Sequence, residues 1–188
     1  MLDSVLQMTK EIKRCEEIEA WHACLLQVYA YIDALSFLAM PKARNTNTRS
    51  DYIAWVDKYM KARSDQPYQY RGIDFYGARC AVLHQFGSAS DFHAKYPDTI
   101  KFGYSDGGHH LYDQTIEPKL AILGLHSLVD DFIGAVVNML EDMRPRVRIE
   151  EERLMIQNRL TTILTSIPIV EQPQAGPGFP RGEQNGLR

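Results

Sequence analysis

Arg79 and His84 stand in one short, almost wholly apolar segment, Ile73 to Phe86, which reads IDFYGARCAVLHQF. An arginine supplies a permanent cation with five donors, and a histidine exchanges a proton near neutral pH. Together they suit phosphate binding and general acid–base chemistry. A segment this apolar is expected to be buried on most sides. An unpaired buried charge is costly, so something must hold the two residues. The first long apolar run offers a partner, because Val28 to Met40 is apolar except for Asp33 and Ser36. An isolated carboxylate in such a run needs a partner too. The economical expectation is that the two segments are packed helices and that Asp33 meets Arg79 or His84. A carboxylate can hold a guanidinium in a bidentate pose or fix an imidazole tautomer. Residues five apart on an ideal helix are turned by about 140°, so Arg79 and His84 converge only if Arg79 reaches round or the helix loosens near Gly87. The alternative is a non-enzymatic helical module. There an Asp33–Arg79 pair locks two core helices and His84 caps a helix end.

Other groups carry weaker signals. Glu19 and His22 have the spacing of half a di-iron carboxylate site, but no second Glu-x-x-His exists in the chain. His126 and Asp130, four apart, share a helix face and are expected to form a local bond or to lie near Asp33. Asp130 and Asp131 are a second possible partner for Arg79. His109 and His110 follow a Gly-Gly pair and are expected at an exposed turn tip. Arg144, Arg146 and Arg148, followed by three glutamates, read as a solvated helix junction. They are also the densest basic patch for phosphate contact outside the motif. No phosphate loop, dinucleotide fingerprint, nucleophile elbow or zinc-ligand pair is present, so no cofactor or metal is implied.

The elements that must position these residues are mainly helical. The 188 residues, 45% apolar and 24% charged, suit one globular domain with a substantial core. A net charge of −3 gives no general basic field, so RNA contact would rest on a local patch. Cys15, Cys24 and Cys80 form no C-x-x-C pair and are expected as reduced thiols in a cytoplasmic protein. Lys10, Glu11, Lys13 and Arg14 interrupt any apolar signal core. The run from Ala23 to Met40 approaches membrane length, but Gln27, Asp33 and Ser36 interrupt it. It reads as a buried core helix, with no membrane role.

The first helix is expected from Leu2 to Met40, with a break around Arg14 to Glu17, and Pro41 ends it. Thr48 or Ser50 caps a second helix, reaching Met60 or Ala62. Ser64 to Gly72 is a linker, and Ile73 to Phe86 forms a helix stopped by Gly87. Ser88 to Pro97 is irregular. Thr99 to Asp113 reads as a small hairpin, with Ile100, Phe102 and Tyr104 alternating and a turn at Asp106 to Gly108. A long helix from Ile116 or Glu117 to Met143 follows, with Pro118 in its first turn. The last helix runs from Ile149 to Ile167. The predicted fold is all-α, a bundle of about five helices with a small β-hairpin insertion. It spans 1–167 as one domain, with 168–188 a flexible Pro/Gly-rich tail.

An Arg-x4-His motif on an inner helix of an all-α bundle, with an acidic residue on an earlier helix, resembles the HEPN superfamily (higher eukaryotes and prokaryotes nucleotide-binding domains). The resemblance covers roughly Ala20 to Met143. It implies an RNA-binding protein or a metal-independent ribonuclease of toxin, defence or processing type. It also implies a homodimer that brings two motifs together, and an antitoxin-like partner protein. In that scheme His84 moves protons while a ribose 2′-hydroxyl attacks phosphate, Arg79 binds the phosphate, and Asp33 is the acidic residue. Cys80 departs from the polar residue that usually follows the arginine in active members, which favours a binding or degenerate member.

Overall fold

A computed structural model describes residues 2–41 and 44–163. The order is α1 (Leu2–Glu17), α2 (Trp21–Ala39), α3 (Arg49–Tyr59), α4 (Gly72–Gln85), α5 (Asp91–Lys95), β1 (Lys101–Ser105), β2 (Leu120–Gly124), α6 (Leu125–Met143) and α7 (Glu150–Leu160). The predominantly helical expectation holds, with the helices more numerous and shorter than the periodicity suggests. The last helix ends at Leu160, short of Ile167, and the 168–188 tail lies outside the described residues.

α2 is the hub. By length and composition it is the one described helix able to cross a bilayer, yet α1, α3, α4, α6 and α7 all pack on it. Val28, Ile32 and Leu35 are fully buried there. α1 adds Val5, Met8 and Ile12, one apolar stripe at helical spacing. The break between α1 and α2 falls later than Arg14 to Glu17. Glu19 takes a left-handed conformation at φ 57°, and the Ala20 N–H closes back on the Cys15 carbonyl at 2.8 Å. This is a Schellman-type stop made without glycine.

The end of α2 is held by side chains from elsewhere, and the start of α3 by its own cap. Orphan carbonyls at a helix C-terminus need donors. Arg146, in a single 3-10 turn, donates to the Ala39 carbonyl at 2.6 Å, and Arg159 of α7 donates to that of Met40. Thr48, not Ser50, starts α3, with its N–H and hydroxyl both donating to Asp51. α4 approaches α3 so closely that a Cβ on Gly72 would lie 2.3 Å from the Ile53 carbonyl oxygen. α4 ends through Phe86, which is left-handed at φ 52°, and the Gly87 N–H reaches the Ala81 carbonyl. Gly87 therefore follows the left-handed residue instead of supplying it. The stretch Ser88 to Pro97 contains α5, started by a Ser90–His93 capping box.

The hairpin expectation is overturned. β1 pairs in parallel with β2, Phe102 opposite Ala121 and Tyr104 opposite Leu123. The chain does turn after Ser105, but it crosses to the other side of β2, where Leu111 makes an antiparallel bridge to Ile122. The helix expected from Ile116 consequently starts only at Leu125, and Pro118 lies ahead of β2. A short apolar run such as Leu120 to Leu123 has the same composition in a buried strand as in a buried helix. Phe75 of α4 meets Phe102 of β1 edge to face at 5.4 Å, fixing α4 against the sheet.

Candidate functional site

α2 and α4 pack together, and that contact brings the three candidate residues together. Arg79 Nε donates to Asp33 Oδ2 at 2.9 Å. Arg79 Nη1 lies 3.3 Å from His84 Nε2. The five-residue offset is bridged between the two side chains, the guanidinium meeting Asp33 of α2 with one nitrogen and His84 of its own helix with another. A guanidinium only donates, so His84 Nε2 is the acceptor and the neutral ring carries its proton on Nδ1. The side chains of Arg79 and Asp33 are 23% and 30% exposed, and His84 is exposed. The cluster is therefore open to solvent.

Each side chain is held from behind. The Asn47 amide donates to the Asp33 carbonyl at 3.0 Å and to the Ser36 hydroxyl at 2.8 Å, tying the loop after α2 to the turn that carries Asp33. The Arg79 guanidinium also lies over the Tyr76 ring at 6.0 Å. Burial works against the Arg79 charge, but Asp33 more than offsets it and the pKa rises. Behind the ion pair, Tyr52 is fully buried and its hydroxyl has no hydrogen-bond partner among the described residues. Burial, and then the Asp33 charge, push that phenol well above its usual range. Asp33 also borders a groove of about 870 Å³ between α1, α2, residues 45–47 and the chain beyond α7.

The other sequence candidates lie elsewhere. Asp130 pairs with Lys13 at 2.8 Å and His126 with Glu16 at 2.8 Å, so neither the His126–Asp130 bond nor an Asp130–Arg79 pair forms. Glu19 occupies the break between α1 and α2 and shares no helix with His22. Arg144 pairs with Glu141 at the surface, as a solvated junction requires, but Arg146, paired with Glu152, is only 18% exposed and turns inward to the end of α2, so two of those three arginines are already engaged.

His110 departs most from expectation. His109 is exposed, but His110 is only 1% exposed. Its Nδ1 accepts the Gly124 N–H at 3.1 Å, which leaves the proton on Nε2. Nε2 then meets the Tyr70 hydroxyl at 2.7 Å, and Tyr70 donates to Asp131 at 2.7 Å. Burial, then Arg63 and His109, lower the His110 pKa to about 4. Asp131, raised by burial, is thus spoken for by Tyr70 and not by Arg79. Sequence reasoning also passes over Asp74, which is fully buried on α4. Asp74 binds Arg71 at 2.6 Å, the Tyr68 hydroxyl at 2.7 Å and the Ile100 N–H at 2.9 Å. An acid inside an apolar helix is the signal that marks Asp33, and it marks Asp74 equally.

No protein-family model, curated protein or solved structure matches this chain.

Proposed function

We propose that this protein binds RNA at the Asp33–Arg79–His84 cluster and cleaves it without a metal, in the manner the HEPN resemblance implies. One observation carries the reading. A guanidinium, an imidazole and a carboxylate converge at solvent although the five-residue spacing of the first two turns them apart on α4. A phosphate entering the cluster takes Arg79 as its donor and competes with the long 3.3 Å contact to His84. That frees His84 Nε2 to take the proton of a ribose 2′-hydroxyl as its oxygen attacks phosphorus. The P–O5′ bond breaks, the leaving oxygen is protonated, and a 2′,3′-cyclic phosphate remains. Asp33 keeps Arg79 charged and aimed. In a two-fold dimer, the second copy's His84 supplies the proton to the leaving oxygen. A cytoplasmic setting and a regulatory partner protein go with that reading.

The test is incubation of the purified protein with labelled RNA oligonucleotides in excess chelator, with His84→Ala alongside and sedimentation of both. Cleavage by wild type, its loss in His84→Ala with unchanged melting, and a dimer are expected. A second reading is supported by the Asp33–Arg79 bond, which ties α2 to α4 and can serve packing alone. Wild-type protein that never cleaves RNA, with Arg79→Ala losing stability, selects that reading.

A further inference from the structure

Arg79 is one end of a row of rings and cations that leaves the candidate site across α4, α5 and the start of α3. Tyr76, beneath Arg79, meets Phe92 at 5.2 Å. Phe92 packs on Tyr96 at 4.4 Å with the rings 31° apart. Arg49 lies over the Tyr96 ring at 5.0 Å and bonds its hydroxyl at 2.6 Å. Phe92 is buried and anchors the row. Arg49 and Tyr96 are exposed, the latter at 36%, while Tyr76 and Arg79 are half-exposed.

Two polar groups in this row keep capacity for a ligand. Arg49 has no carboxylate partner among the described residues, although ten ion pairs there join an arginine or lysine to a side-chain carboxylate. The Tyr76 hydroxyl makes no hydrogen bond among those residues either. Burial and the neighbouring Cys80 and Asp33 raise the Tyr76 phenol, against the opposing pull of Arg79 and Arg49. Cations with rings between them match the phosphates and bases of an unpaired strand. A duplex hides its base faces and has no use for the rings.

We propose that Arg49, Tyr96, Tyr76 and Arg79 form a track for single-stranded RNA leading into the Asp33–Arg79–His84 cluster. Arg49 and Arg79 each hold a phosphate at opposite ends of the row, and a base stacks on the exposed Tyr96 ring as Arg49 swings from that ring to its phosphate. The inference rests on the RNA reading of that cluster and names its substrate as unpaired.

The experiment titrates the full chain and its variants with a fluorescent single-stranded RNA 12-mer, and with a duplex of the same length, at several salt concentrations. Arg49→Gln changes an exposed side chain and Tyr96→Leu keeps apolar bulk on Phe92. Melting curves accompany both. Arg49→Gln is expected to weaken single-strand binding at least fivefold and to shrink the salt slope by about 0.7, the loss of one phosphate contact. Tyr96→Leu is expected to weaken it about tenfold through lost stacking, with the salt slope kept. The duplex binds more weakly and is indifferent to Tyr96→Leu. His84→Ala separates the two claims. Binding that depends on Arg49 and Tyr96 without any cleavage keeps the track and removes the nuclease. Cleavage that is unchanged in Arg49→Gln and Tyr96→Leu keeps the nuclease and overturns the track. Absence of RNA binding, or Arg49-dependent binding only to phosphatidylserine vesicles, also overturns it.

Discussion

Asp33 and Asp74 are both carboxylates set in apolar helices, and their burial separates their duties. Asp74 is sealed from water and shares its oxygens among a guanidinium, a phenol and a backbone N–H. Its removal leaves buried donors unmatched, so Asp74→Ala is expected to cost about 3–4 kcal/mol in urea denaturation. Asp33 and Arg79 remain partly hydrated, and Arg79→Ala is expected to cost only about 1–2 kcal/mol. Equal losses in the two variants would make the Asp33–Arg79 pair a core lock. The pairing was legible because an isolated acid in one apolar run and an isolated base in another each need a partner. His110 was not legible. A histidine after Gly-Gly has the composition of an exposed turn, and only the crossing of the chain over β2 buries it.

Close approach of elements sets what each helix tolerates. Gly72 has an ordinary helical backbone, so alanine there would favour α4 by propensity alone. Its Cβ would instead strike the Ile53 carbonyl, and Gly72→Ala is expected to destabilise by about 3 kcal/mol and lower the melting temperature. The strand region carries a pH dependence. Folding holds His110 neutral with its pKa near 4, against about 6.5 in the unfolded chain. As pH falls from 6.5 toward 4, the unfolded chain takes up a proton that the folded one refuses. Stability therefore drops across that window, by up to about 3 kcal/mol. His93, also lowered by burial, acts in the same direction. Denaturation at pH 7 and pH 4.5 should show the loss, and His110→Gln should flatten it. Helices α2, α3 and α4 were readable from periodicity and stop signals. β2 was not, because four apolar residues have no period long enough to exclude a helix.

At the scale of the molecule, α2 was recognisable as the hub because it is apolar on every side. What closes the fold around it was hidden, since Arg146 reads as part of a solvated junction and nothing in the sequence singles out Arg159. They reach the end of α2 from 107 and 119 residues away along the chain. That separation has a kinetic meaning. Contacts between such distant segments carry the largest loop-closure cost and form late in folding. The latch on Met40 is then absent from the transition state, and breaking it should hasten unfolding while leaving refolding unchanged. In a chevron plot, Arg159→Met should raise the unfolding arm and superimpose on the wild-type refolding arm. A slowed refolding arm would instead place α7 in the nucleus. The last-formed contact is also the first to open, so α7 behaves as the fold's release catch.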